Sequence, residues 1–263
     1  MLIWIARLFA ALTCAVLLAA CVPDPTLVNA GLAKPPAAQV DADAYVSRQD
    51  GSFTIPAIPL EKLPVEYQRQ TIYFPTDQAP GTIIIDPTAR HLHLVTGPNR
   101  AIRYGISVGR AGFEWSGQAV IAKRSEWPTW TPPPEMIERR PELTKWEKGQ
   151  PGGPTNPLGA RALYLTTNGV DYGYRIHGTP EWESIGHNAS SGCIRMINQD
   201  IIDLYNRVPD GAKVIVLTRD GQLPTGLSLP PPAPKKAAKA APVVEVATPE
   251  EPLTPPTPVV GPF

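Results

Sequence analysis

Short runs in which apolar and polar side chains alternate dominate the middle of the chain. Thr82-Ile83-Ile84-Ile85-Asp86, His91-Leu92-His93-Leu94-Val95, Ile102 to Val108, Val120 to Lys123, Ala162 to Leu165, Tyr174 to Ile176 and Lys213 to Leu217 are rich in β-branched and aromatic residues. Pro, Gly, Asn and Asp punctuate them, as expected of strands joined by turns. A helical period stands out at 199–207, where Ile201, Leu204, Tyr205 and Val208 fall on one face and Asn198 takes the N-cap position. The pattern predicts a mainly β domain, sandwich or barrel-like, with one or two helices packed on it.

Prolines set the limits of that domain. Of 33 in 263 residues, 12 lie between Pro224 and Pro262, seven between Pro23 and Pro64, and eight between Pro128 and Pro157. Residues 70–219 remain as the packed unit, long enough for one core. Residues 22–69, rich in Pro and Ala with little periodicity, read as a tether with a mean span of about 40 Å. Residues 220–263 read as a disordered tail that cannot bury enough apolar surface to offset its ordering entropy. The segment 125–160, which carries Trp127, Trp130 and Trp146, is too long for a turn and has the length of a substrate lid.

The first 20 residues join Arg7 to the apolar run LFAALTCAVLLAA, in the manner of an export signal peptide. Leu18-Ala19-Ala20-Cys21 resembles the bacterial lipobox, which implies cleavage before Cys21 and a lipid anchor on it. Val22 rather than Asp follows, so attachment to the outer membrane, facing the periplasm, is preferred over inner-membrane retention. Of the three cysteines, Cys14 would leave with the signal and Cys21 would be acylated. Cys193 is then left without a disulfide partner in an oxidising compartment. A lone thiol there is a candidate nucleophile, although a small buried hydrophobe fits it too.

Charge and motifs narrow the chemistry. With 24 basic and 24 acidic residues and no basic stripe, the chain lacks the clustered cations that a nucleic-acid binder needs. Gly105-Ile106-Ser107-Val108-Gly109 matches G-x-S-x-G, but no helical period follows it, so Ser107 is read as part of a strand. His91 and His93 share a strand face, yet zinc takes three or four ligands and no third is evident; no metal or other cofactor is expected. The informative segments are Tyr174-Arg175-Ile176-His177-Gly178-Thr179 and Ser190-Ser191-Gly192-Cys193-Ile194-Arg195-Met196. A cysteine flanked by glycine just before a helix has backbone amides near it, and a histidine can take its proton. Those are parts of a thiol acyltransferase or hydrolase; two packed side chains would give the same spacing.

Together with Ile185-Gly186, Asp200, Asn156-Pro157-Leu158-Gly159 and Pro80-Gly81-Thr82, these segments closely resemble the YkuD-type, ErfK-like L,D-transpeptidase catalytic domain over about residues 70–219. The resemblance implies a mostly β, exported enzyme acting on peptidoglycan stem peptides, with Cys193 as nucleophile and His177 as proton carrier. Gly178 would orient the imidazole through its carbonyl, and the N–H groups of Gly192 and Cys193 would hold the oxyanion. Ser191, Tyr174 and Arg195 would line the substrate; Arg195 could face a substrate carboxylate or pair with Asp200. Many members carry a second histidine where Ser191 stands, and His187 is a candidate substitute. The thioester would pass to an amine of a stem peptide, a D-amino acid, or an outer-membrane or periplasmic protein. Hydrolysis by an L,D-carboxypeptidase and a non-catalytic wall-binding scaffold are the alternatives.

Overall fold

The computed structural model describes residues 25–109, 115–190 and 192–230. The signal segment with Cys21, Ser191 and the tail 231–263 lie outside the described residues. Thirteen strands are present among those described: β1 Gln39–Val40, β2 Arg48–Asp50, β3 Phe53–Ile55, β4 Gln70–Tyr73, β5 Ile83–Asp86, β6 His91–Gly97, β7 Arg100–Gly109, β8 Gly117–Glu126, β9 Arg161–Thr166, β10 Arg175–Thr179, β11 Asn188–Ser190, β12 Ile194–Ile197 and β13 Lys213–Val216. Three α-helices accompany them: α1 Pro25–Asn29, α2 Pro134–Arg139 and α3 Asn198–Arg207. None of the described helices is long and apolar enough to cross a membrane.

The mainly β expectation holds, and the architecture is a closed barrel. Hydrogen bonding runs β7–β12–β10–β9–β8–β13–β5–β6 and returns from β6 to β7. The β10–β12 and β13–β5 pairs are parallel, and the other pairs of the ring are antiparallel. Closure leaves no edge strand in the ring exposed to pairing with another chain. Strand alternation then sorts the side chains. Ile83, Ile85, Leu92, Leu94, Ile106, Ile121, Leu163, Ile176, Met196 and Val214 meet in one core, and Ile201, Leu204 and Val208 of the α3 region join it. Tyr104 is also fully buried, and its hydroxyl reaches Asp203 Oδ2 at 2.6 Å, which satisfies the one polar atom it brings inside.

Residues 39–69 are not a free tether. β1 pairs with β4, β2 pairs with β3, and short 3-10 turns at Leu60–Lys62 and Val65–Tyr67 connect them. Tyr45, Ile58 and Leu63 are buried against Ile185 and Ile197, while Ile55 packs with Ala160 and Ile202. The prolines here shape turns between anchor points instead of keeping the segment extended in water. Residues 220–230 depart from the expected disorder as well: Ser116 and Ser228 exchange backbone hydrogen bonds of 3.1 and 2.8 Å, and Leu227 packs on the core. Asn198 is the first residue of α3, not a side-chain cap, and its Oδ1 accepts from Ala160 N at 2.9 Å.

The long segment before β9 is knitted at its base. Asn156, fully buried, donates to the carbonyls of Pro128, Gln150 and Pro151 at 3.0 to 3.1 Å, and its Oδ1 accepts from Leu158 N at 2.9 Å. Trp127 faces the β2–β3 hairpin, 4.6 Å from the Phe53 ring, and its Nε1 donates to Asp50 Oδ2 at 2.8 Å. The same carboxylate takes both Arg161 Nη groups, at 2.7 and 2.9 Å. Asp50 thus ties hairpin, segment and β9 together through three donors. Replacing it by Asn should cost about 2 kcal/mol in urea unfolding, the loss of charge-assisted bonds to a buried guanidinium; a change below a few tenths would show that Arg161 finds equal partners elsewhere.

Candidate active site

β10 and β12 lie side by side in parallel, with Ile176 opposite Ile194 and His177 opposite Arg195. Ile176, Ile194 and Met196 point into the core. The alternating positions, Arg175, His177 and Thr179 on β10 and Cys193, Arg195 and Ile197 along the β12 segment, therefore share the other face. Continued one step back from the Ile176–Ile194 pair, the register brings Cys193 level with Arg175, whose backbone N–H bonds the thiol. Cys193 and His177 are then diagonal neighbours on that face, roughly 8 Å apart at Cα from standard strand spacing, a gap that two side chains can close. Cys193 precedes a strand, and α3 begins only at Asn198, so the expected position just before a helix is not realised.

Glycines shape both strands. Gly192 has φ of +113°, a conformation that other residues rarely adopt, and it turns the chain into Cys193. A Cβ on Gly178 would lie 2.3 Å from Asn198 Oδ1 and 3.0 Å from Ile201 Cγ2, so only glycine lets α3 approach β10 this closely. The Gly178 carbonyl lies 2.6 Å from His177 Nδ1. A carbonyl oxygen only accepts, so Nδ1 carries the proton and Nε2 keeps its lone pair. His177 is buried, and burial pushes its pKa down to about 4, against the opposing pull of the Gly178 bond. The ring is a neutral base at pH 7.

Burial also pushes the half-buried Cys193 thiol up, opposed by the Arg175 backbone N–H and by the charges of Arg175 and Arg195. The sulfur lies 3.8 Å from Gly173 O, within reach of a weak S–H donor bond. Tyr174 stacks on Trp115 at 4.6 Å, and its phenol is pushed up by burial and by the charge of Cys193. Beside Gly192, a small apolar cleft is lined by Ile85, Val108, Trp115, Gly192, Ile194 and Val216.

Arg195 pairs with Glu181 Oε2 at 3.2 Å, not with Asp200. Asp200 instead accepts from Tyr45 OH at 2.9 Å and faces Arg69 at 3.9 Å. His187 is exposed, with its carbonyl bonded to Val108 N. Ser107 lies fully buried in β7, consistent with its reading as a strand residue. His93 stacks on Phe74 at 4.4 Å, and His91 Nε2 lies 3.0 Å from Glu66 O. No group of three or more metal-ligating side chains is present among the described residues. Arg175 and Asp171 act on the thiol and Trp115 stacks on Tyr174, and none of the three is a residue that the motif singles out. Arg175 was within its reach, since it lies two residues before His177 on an alternating strand.

The chain matches the YkuD family, L,D-transpeptidase catalytic domain, over residues 80–216. It is 30% identical over 193 residues to the probable L,D-transpeptidase ErfK/SrfK of Escherichia coli K12, covering 71% of this chain and 56% of that protein. Identity to the probable L,D-transpeptidase YbiS of the same strain is 32% over 150 residues, covering 55% and 47%. The chain spans about half the length of the curated relatives it matches. Among solved structures, a probable carnitine operon oxidoreductase from Brucella melitensis is 49% identical, covering 57% of this chain and 94% of that one, with a TM-score of 0.41. The family match takes in all eight barrel strands with both His177 and Cys193, and the chain belongs to the YkuD family of L,D-transpeptidase catalytic domains.

Proposed function

We propose that the protein is a peptidoglycan L,D-transpeptidase in which Cys193 is the nucleophile and His177 the base. The observation that carries this reading is the 2.6 Å contact of His177 Nδ1 with Gly178 O, which leaves a neutral Nε2 on the sheet face that Cys193 shares. In the first step Nε2 takes the thiol proton as sulfur attacks the carbonyl of the third stem residue. The imidazolium returns that proton to the leaving nitrogen, the terminal D-alanine departs, and a thioester remains. In the second step an amine attacks the thioester, Nε2 takes its proton, and the thiol is restored.

The N–H groups of Gly192 and Cys193 are the proposed oxyanion donors, and Ser191, next to them in sequence, is a proposed substrate contact; one such donor is typically worth ~3 kcal/mol. Tyr174 and Arg195 line the substrate path. The segment 125–160 closes over the bound peptide as a lid. Export by the signal segment and anchoring through Cys21 place the enzyme in the periplasm, where the stem peptides are.

The test is intact-protein mass spectrometry after incubation with a disaccharide tetrapeptide. A covalent adduct lacking one D-alanine, absent from Cys193→Ala and discharged when an amine is supplied, is the expected result. No adduct on folded, reduced protein would reject the reading, and an adduct discharged by water alone would make it a hydrolase.

A further inference from the structure

We infer that the turn from Asp171 to Arg175 is a positioning device for the nucleophile: Arg175 sets how readily Cys193 ionises, and Asp171 meters that effect. This inference rests on the reading of Cys193 as the nucleophile.

Arg175 lies one step before the Ile176–Ile194 pair that opens the β10–β12 ladder, and its backbone N–H bonds the Cys193 thiol. An arginine at a strand end ordinarily swings into water, but this one is clamped from three sides. Asp171 takes both Nη groups at 2.7 and 2.8 Å, Tyr174 O accepts from Nη1 at 2.8 Å, and the guanidinium lies 4.6 Å from the centre of the Tyr164 ring. The planar fork is therefore fixed before substrate arrives, and its charge acts on the Cys193 thiol in favour of thiolate.

Asp171 does a second thing. Its Oδ1 also accepts from Gly173 N at 2.8 Å, which fixes the turn that brings Gly173 O to 3.8 Å from the thiol. One carboxylate thus holds two groups of opposite influence on one sulfur: a cation that favours thiolate and a carbonyl that favours S–H. Asp171, about half exposed, also acts on the thiol directly, its negative charge favouring the protonated form. The other groups around the thiol weaken this balance without replacing it. Arg195 favours thiolate, yet it is paired with exposed Glu181. His177 is neutral, and the Tyr174 phenol stays protonated near neutral pH.

The test reads the thiol alone, through the pH profile of alkylation by iodoacetamide, an uncharged reagent, followed by intact mass. Arg175→Met should raise the midpoint by about one pH unit, which lowers the thiolate population at pH 8 about tenfold. The rate there falls only about threefold, because the more basic thiolate is also the better nucleophile. Arg175→Lys should recover most of the shift. Asp171→Asn should move the midpoint down, by leaving the same cation less compensated. A profile unchanged in folded Arg175→Met, or both neutral variants moving the same way as a collapsed turn would move them, overturns the inference. Should Arg175→Met fail to fold, Asp171→Asn decides alone: faster alkylation supports the device, and equal or slower alkylation rejects it. The readout needs no turnover, so opposed shifts in a chain that forms no acyl adduct would sink the transpeptidase reading and leave the electrostatic device standing.

Discussion

His177→Ala should lower kcat/KM for the tetrapeptide by about a thousandfold, within the range set by loss of a positioned general base, while Cys193 remains open to alkylation. The pH dependence distinguishes this from a loss of folding. In the native protein, burial holds the ring near 4 and pushes the thiol upward, so imidazole and thiol are both neutral across the physiological range. Proton transfer then belongs to the attack itself, and kcat/KM should be flat from about pH 5 to 8, with its acid limb near 4. In His177→Ala the plateau should vanish, with the rate rising tenfold per pH unit as thiolate replaces thiol. His177→Gln, which can still donate to Gly178 O, should be as inactive as alanine. An acid limb near 6.5 in the native protein would mean an exposed, ordinary histidine, and the assignment of base would fail. The same shift has a stability consequence. His177 titrates near 6.5 when unfolded and near 4 when folded, so its contribution is present above 6.5 and is lost as pH falls toward 4. Buried His93, pushed down to about 3, adds to the loss in the same direction.

Alternation made most of the barrel legible, because β5 to β10 and β13 each bury one face and leave the other to a second layer or to solvent. β12 is hidden by its setting: Ile194-Arg195-Met196-Ile197 is only four residues long and lies between the candidate nucleophile Cys193 and an obvious helix, so it does not stand out as a strand. The packing of residues 39–69 was not legible at all. Its anchors Tyr45, Ile55, Ile58, Leu63 and Tyr67 are single side chains separated by prolines and turns, so no period exists to detect. What holds them is complementarity to distant surfaces: Tyr67 fills the space where Gly105 and Gly186 lack a Cβ, and Gln199 Nε2 donates to Pro56 O at 2.8 Å. The site divides in the same way. Cys193 and His177 announce themselves by motif, and Arg175 by strand parity. The partners of Asp200 and Arg195 are ion pairs chosen by the fold from many charged residues, and sequence spacing carries no information about that choice.

Arg69→Met should cost about 3–5 kcal/mol at pH 8, the usual price of stranding a buried charge, and this is the largest stability effect expected for a single change outside the core. Arg69, 11% exposed at its side chain, faces Asp200 at 3.9 Å, Asp203 at 3.3 Å and Asp41 at 2.9 Å. Its backbone N–H donates to Tyr45 OH at 2.7 Å, and that hydroxyl donates onward to Asp200 Oδ2 at 2.9 Å. Asp200 is fully buried, and burial raises its pKa to about 7, with Arg69 the leading influence in the other direction. A carboxyl raised above its unfolded value of 3.8 favours the fold most below 3.8, and that contribution is lost as pH rises through 7. Without Arg69 the folded value climbs further, so the deficit of Arg69→Met should grow between pH 5 and pH 9. Asp200→Asn in the same background should recover much of the stability and flatten that trend, since a neutral amide can still accept from Tyr45. Urea unfolding of the three proteins at both pH values decides the matter. A deficit equal at pH 5 and 9 would mean that Arg69 stabilises by packing its stem and by its pairs with Asp41 and Asp203, and that Asp200 is not the charge it neutralises. A deficit that grows with pH would make residues 39–69 a constitutive part of the domain, because the cation that faces Asp200 beneath the first turn of α3 comes from that segment.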